Sequence, residues 1–101
     1  MHDRSELHES LCEILGSRNV YFQAPSSILM RYPAIRYRLS NIVNSHANNS
    51  VYSHSNRYEI TVIDEDPDST IPGRVNELPT ARFIRSFVAD NLNHWIIEIF
   101  Y

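Results

Sequence analysis

A chain of 101 residues points to one domain, 1–101, and is too short for a core plus a deep substrate pocket without help from a partner. Its apolar fraction of 43%, with one Trp, six Tyr and four Phe, argues against disorder, and no apolar run approaches the roughly 20 residues of a membrane-spanning helix. The net charge is −3, all nine basic residues are Arg, and the lone Cys12 excludes an internal disulfide, which fits a reducing compartment.

Residues 3–16, "DRSELHESLCEILG", read as an amphipathic helix. Leu7, Leu11, Ile14 and Leu15 fall at helical spacing, Asp3 or Ser5 can cap the start, and Gly16 is a stop signal. The polar start carries no signal-peptide apolar stretch, so no leader is expected.

"NVYFQA" (19–24) is a short β-type run broken by Pro25. In 28–42, Ile35, Tyr37 and Leu39 alternate with Arg36, Arg38 and Ser40, which predicts a half-exposed strand. Pro33 limits it to an edge or to the strand's beginning. The polar stretch 44–55, "NSHANNSVYSHS", reads as a long hairpin loop, and Asn44, His46, Asn48, Asn49, Tyr52 and His54 are its candidate assembly contacts.

"NRYEITVID" (56–64) is the clearest strand, with Tyr58, Ile60 and Val62 on one face and Glu59, Thr61 and Ile63 on the other. Residues 70–78 suggest a short helix with Ser69 or Thr70 as cap and Pro72 in its first turn. Residues 81–89 and 94–101 read as two closing strands joined by "DNLN". The expected fold is α+β: an N-terminal helix on a mostly antiparallel sheet of four to five strands, with a short helix between strands three and four.

The stretch "TVIDEDPDSTIP" (61–72) carries Asp64, Glu65, Asp66 and Asp68. Asp64, Asp66 and Asp68 match the first three ligand positions of an EF-hand loop, but Ser69 stands where the turn needs Gly and Val75 where a bidentate Glu is needed. No nucleophile or His lies close in sequence to make a catalytic pair of these carboxylates. The residues read better as a turn, with Pro67 fixing φ and Asp or Ser closing local hydrogen bonds. His46, His54 and Cys12 lack zinc-ligand spacing, and Gly16 and Gly73 cannot make a phosphate loop. No catalytic residue, metal or cofactor is therefore expected.

The charge is segregated. Between Glu13 and Glu59 there is no acidic residue, while Arg18, Arg31, Arg36, Arg38 and Arg57 lie there; acid dominates from Glu59 to Glu77. Arg31, Arg36, Arg38 and Arg57 are candidate contacts for Asp64, Glu65, Asp66 and Asp68 of a neighbouring subunit, and those acids are alternatively a channel-facing rim. Neutralisation between facing strands within one subunit would need no neighbour. Two function classes are left: a structural or interaction module, and a small nucleic-acid-associated protein, against which the acidic second half argues.

"NVYFQAP", "MRYPAIRY", "NRYEITVIDEDPDSTIP" and "LPTARFIRSFVADNLNHWIIEIFY" resemble a family of small tail completion or tail terminator proteins of tailed bacteriophages. The resemblance covers roughly residues 19–101, and "TVIDEDPDSTIP" and "ADNLNH" are its most specific blocks. Two positions depart from the family pattern: that of Glu65 is often basic in it, and that of Gly73 often acidic.

The resemblance implies a non-enzymatic virion protein, made in the host bacterial cytoplasm, that forms a closed ring, usually of six copies. The ring would cap the head-proximal end of the tail tube, stop its polymerisation and present a surface to the head connector. Implied partners are other copies of the chain, the major tail tube protein, a connector or stopper protein, a sheath if the tail is contractile, and genomic DNA passing without sequence-specific binding; no membrane is implied. A head–tail joining protein of the connector side is the alternative, and a phage nucleic-acid-binding protein a more distant one.

Overall fold

The structure, a computed structural model, describes residues 4–25, 28–47 and 50–101, with side chains at all of these except 43–47 and 50–55. In chain order the elements are α1 (Arg4–Leu15), β1 (Val20–Phe22), β2 (Ala34–Ala47), β3 (Ser50–Asp64), α2 (Ile71–Asn76), β4 (Arg82–Ala89) and β5 (Leu92–Phe100). The fold is α+β as expected. The sheet runs β1-β2-β3-β5-β4, with β1 parallel to β2 and every other pair antiparallel.

The helix forms because its apolar residues return to one face. Leu7 and Leu11, four apart, are fully buried, and Cys12 beside them is buried too. Gly16 ends α1 at φ +80, a conformation that strains any side-chain-bearing residue, and its N–H reaches the Cys12 carbonyl at 2.9 Å. Ser5 lies inside the first turn of α1 rather than at its cap, and Asp3 lies outside the described residues.

Strand alternation sorts the sheet into two faces. Ile35 and Tyr37 of β2, Tyr58, Ile60 and Val62 of β3, and Ile97 and Ile99 of β5 point to the helices and form the core with Leu7, Leu11 and Val75. Withdrawing each large aliphatic side chain from water contributes about 1.5–3 kcal/mol, so this layer dominates stability. α2 sits on the same face, through buried Pro72 and Val75, and Arg74 Nη donates to the Ile14 carbonyl at 2.9 Å, tying the two helices. Of the two expected caps, Thr70 holds the N-cap position without a side-chain bond, while Ser69 Oγ accepts the Ile71 N–H at 3.3 Å.

Three sequence expectations are corrected. The strand predicted from residue 28 begins at Ala34, after Pro33, where proline's missing N–H is harmless. The β4–β5 connection is two residues, Asp90 and Asn91, at φ 54 and 61, leaving Leu92 and Asn93 to pair with Ala89 and Val88.

The third correction is larger. Residues 44–55 are not a long loop: β2 and β3 stay paired from Ala34↔Ile63 out to Ala47↔Ser50. Asn44, His46, Tyr52 and His54 are therefore strand residues, whereas Asn48 and Asn49 lie outside the described residues. β1 reaches only Ile35–Tyr37, and β5 reaches β3 only as far as Arg57. Beyond these points the hairpin has no third strand among the described residues, and it projects roughly 20 Å at about 3.3 Å per residue. The elongated 51 × 23 × 22 Å shape agrees. Hydropathy patterning reports burial and not backbone pairing, so a polar hairpin beyond the core reads as loop.

Candidate assembly surface

The sheet face opposite the helices is uncovered and strongly charged. Cross-strand pairing arranges it in rows. One row is Ala34, Ile63, His94 and Phe87; the next is Tyr21, Arg36, Thr61, Ile96 and Arg85; the third is Arg38, Glu59, Glu98 and Arg82. Arg57 follows, opposite Phe100. Five arginines thus share this face with two glutamates, on a chain whose net charge is −3.

The third row neutralises itself. Arg38 Nη lies 3.1 Å from Glu59, and Glu98 is held between Arg57 at 3.6 Å and Arg82 at 3.7 Å. Pairing between facing strands within one subunit thus accounts for Arg38 and Arg57. Such surface pairs each contribute about 0–1 kcal/mol. Arg57 Nε also donates to Ser40 Oγ at 3.2 Å, and Ser40 Oγ donates to the Arg57 carbonyl at 2.9 Å, beside the irregularity in β2.

The second row is different. Arg36 donates to the Ala24 carbonyl at 3.3 Å, and Arg85 lies over the Phe87 ring, 5.3 Å from its centre. Neither has a carboxylate partner among the described residues. The two flank an open hollow of about 680 Å³ whose floor includes Thr61, Ile63 and Ile96. Ile63 and Ile96 are 4% and 7% exposed, whereas Thr61 between Arg36 and Ile96 in the same row is half-buried. His94 stacks on Phe87 at 4.6 Å and donates from Nδ1 to the Leu92 carbonyl at 3.0 Å.

Arg82, Arg85, Phe87 and His94 were not singled out from the sequence. Simple alternation puts Arg82 and Arg85, three apart, on opposite faces. A bulge between Phe83 and Arg85 inserts Ile84 and brings both onto the open face.

The acidic stretch is a turn at the end of β3. Asp64 Oδ1 accepts the Asp66 N–H at 3.1 Å, and Asp66 Oδ1 accepts the Asp68 N–H at 2.9 Å. Asn93 Nδ2 donates to the Asp64 and Glu65 carbonyls at 3.2 and 3.3 Å. Two carboxylates are thus used to shape backbone. Glu65 and Asp68 are exposed. None of the four forms an ion pair with an arginine among the described residues, Arg31, Arg36, Arg38 and Arg57 included. No group of three or more His, Cys, Asp or Glu there is placed to hold a metal ion, and no helix is long and apolar enough to cross a membrane.

β4 is the long edge of the sheet. It pairs with β5 on one side and, among the described residues, with no strand on the other. Phe83, Ile84, Phe87 and Val88 are 47%, 42%, 39% and 70% exposed. An eight-residue edge with this much apolar surface is a template for association unless something covers it. Comparison with known proteins finds no family model, no curated protein and no solved structure that matches the chain.

Proposed function

We propose that this chain is a structural subunit that assembles with copies of itself into a ring, as a tail terminator at the head-proximal end of a phage tail tube. The observation that carries self-assembly is the β4 edge: an eight-residue strand with no strand partner on its outer side among the described residues and four exposed large apolar side chains. The assignment to a phage tail rests on the resemblance of "TVIDEDPDSTIP" and "ADNLNH". A ring needs two different complementary patches on each subunit. The arginine-flanked hollow and the acidic turn supply unlike surfaces of that kind. In this reading the ring stops tube polymerisation and faces the connector by contact alone, with no chemical step, and its site of action is the virion.

Native mass measurement with negative-stain imaging tests the reading. Rings with a central hole, which cap growing tube protein at a fixed length, are the expected result. Rings that bind only the connector favour the head–tail joining alternative. A monomer that shifts DNA in a gel at physiological salt overturns both.

A further inference from the structure

The geometry points to the arginine-flanked hollow on the open sheet face as the receptor for the acidic turn of a second copy of this chain, with Arg36 and Arg85 meeting Glu65 and Asp68. This rests on the self-assembly reading and goes further, because it assigns which residues meet. Arg38, Arg57 and Arg82 already have glutamate partners in their own subunit, which leaves Arg36 and Arg85 as the cations of this face without one among the described residues. On the acidic side, Asp64 and Asp66 spend an oxygen on the turn's own N–H groups, whereas Glu65 and Asp68 are exposed with no such bond among the described contacts.

The turn does not fill the hollow of its own subunit: neither Glu65 nor Asp68 pairs with Arg36 or Arg85 there. The turn hands the chain from β3 to α2, and α2 packs on the helix-covered face through Pro72 and Val75. Asn93 holds the start of the turn by two carbonyls and fixes that direction. Pro67 thus lies at the end of the sheet beside Phe87 and His94, while Glu65 and Asp68 pair with no arginine of their own subunit among the described residues, which leaves them for the next copy.

A polypeptide fits the hollow better than a nucleic-acid backbone does. Glu59 and Glu98 stand in the row beside Arg36 and Arg85 and occupy Arg38, Arg57 and Arg82, so the face offers two separate cations rather than a continuous row for a run of phosphates. Two separate carboxylates on either side of Pro67 match two separate guanidinium groups on either side of the hollow. Arginine's planar fork takes a carboxylate through two parallel hydrogen bonds, which fixes orientation as well as attraction.

Charge exchange between two proteins tests this. One carries Arg85→Glu; the other carries Glu65→Arg with Asp68→Arg. Each alone is expected to need at least about tenfold more protein for half-assembly, since like charges then face each other across the contact. Mixed in equal amounts, they are expected to co-assemble near the wild-type concentration, which also shows that both are folded. Unchanged assembly by each variant alone overturns the inference and leaves the self-assembly reading standing, as does a mixture that fails to recover while each variant melts like wild type. A wild-type protein that stays monomeric overturns both. Binding of a single-stranded oligonucleotide, lost in Arg85→Glu while assembly is unaltered, overturns the inference in favour of a nucleic-acid surface.

Discussion

The Tyr37 hydroxyl lies 2.7 Å from Nδ1 of His8, so a polar contact sits where α1 meets the core face of β2. Arg4 donates to the same oxygen at 3.4 Å and covers the Phe22 ring at 4.1 Å. Tyr37 is 2% exposed and packs against Phe22 and Tyr58, with ring centres 5.0 and 6.0 Å away. Its hydroxyl is thus the polar pin of an otherwise apolar layer, and it fixes the register of α1 on the sheet.

Tyr37→Phe keeps the ring and removes that pin. It should cost about 1 kcal/mol at neutral pH, by the usual net value of a hydrogen bond. Burial pushes the Tyr37 hydroxyl up, while Arg4 beside it acts in the opposite direction. The unfolded chain releases this proton near pH 10, before the folded one does, so wild-type stability falls as pH rises beyond about 10. The variant lacks that loss, and the stability gap should narrow above about pH 10. Urea unfolding from pH 8 to 11 checks it; a gap that stays constant counts against a buried hydroxyl.

The C-terminal residues close the sheet. Ile97 and Ile99 are fully buried, Phe100 and Tyr101 half-buried. Tyr101 N–H donates to the Asn56 carbonyl at 2.9 Å. Thr80 Oγ1 accepts the Phe100 N–H at 3.0 Å and donates to its carbonyl at 2.7 Å, replacing a strand partner with a side chain. Thr80 stands at φ 68, rarely tolerated by a β-branched residue, and those two bonds hold it there. Deleting residues 100–101 should therefore cost about 2–4 kcal/mol, somewhat below the scale for fully buried aromatics. An unchanged melting temperature would show that β5 ends functionally at Ile99.

The core was legible in the sequence because it obeys two simple periods: Leu7 with Leu11 on a helix, and Tyr58, Ile60 and Val62 on a strand. The assembly surface was half legible. Arg36, Arg38 and the acidic turn follow from alternation and turn chemistry. The β4 contribution does not, because one inserted residue, Ile84, reverses the facing of everything after it. The long hairpin was hidden for another reason: Asn, Ser and His carry no burial signal, yet their backbones pair like any other.

The turn itself makes a sharp distinction between charge and shape. Asp64→Asn with Asp66→Asn keeps both side-chain carbonyl acceptors, so the isolated subunit should melt within about 0.5 kcal/mol of wild type. The matching alanine pair loses both acceptors and should cost about 1–2 kcal/mol. Assembly of the Asn pair should weaken only slightly, and more at low salt than at high salt, because Glu65 and Asp68 still meet the arginines while the field of the turn is smaller. A wild-type melting temperature raised by calcium, with no response in the Asn pair, would instead restore a metal-loop reading of this stretch.

Amide exchange separates the hairpin from the sheet that carries it. From Val43↔Ser55 outward, β2 and β3 pair only with each other among the described residues, whereas Tyr58–Asp64 lies between two partners, β2 and β5. A two-stranded ladder outside a core opens at a lower free-energy cost than a flanked strand. Amides of residues 43–47 and 50–55 should therefore exchange at least about tenfold faster in the free subunit than those of 58–63. In the assembled particle the outer set should slow if the hairpin lies against a neighbour or the tail tube, while the inner set stays put. Equal exchange of the outer set in subunit and particle would show that the hairpin takes no part in assembly. The contacts would then be confined to the β4 edge and the open face.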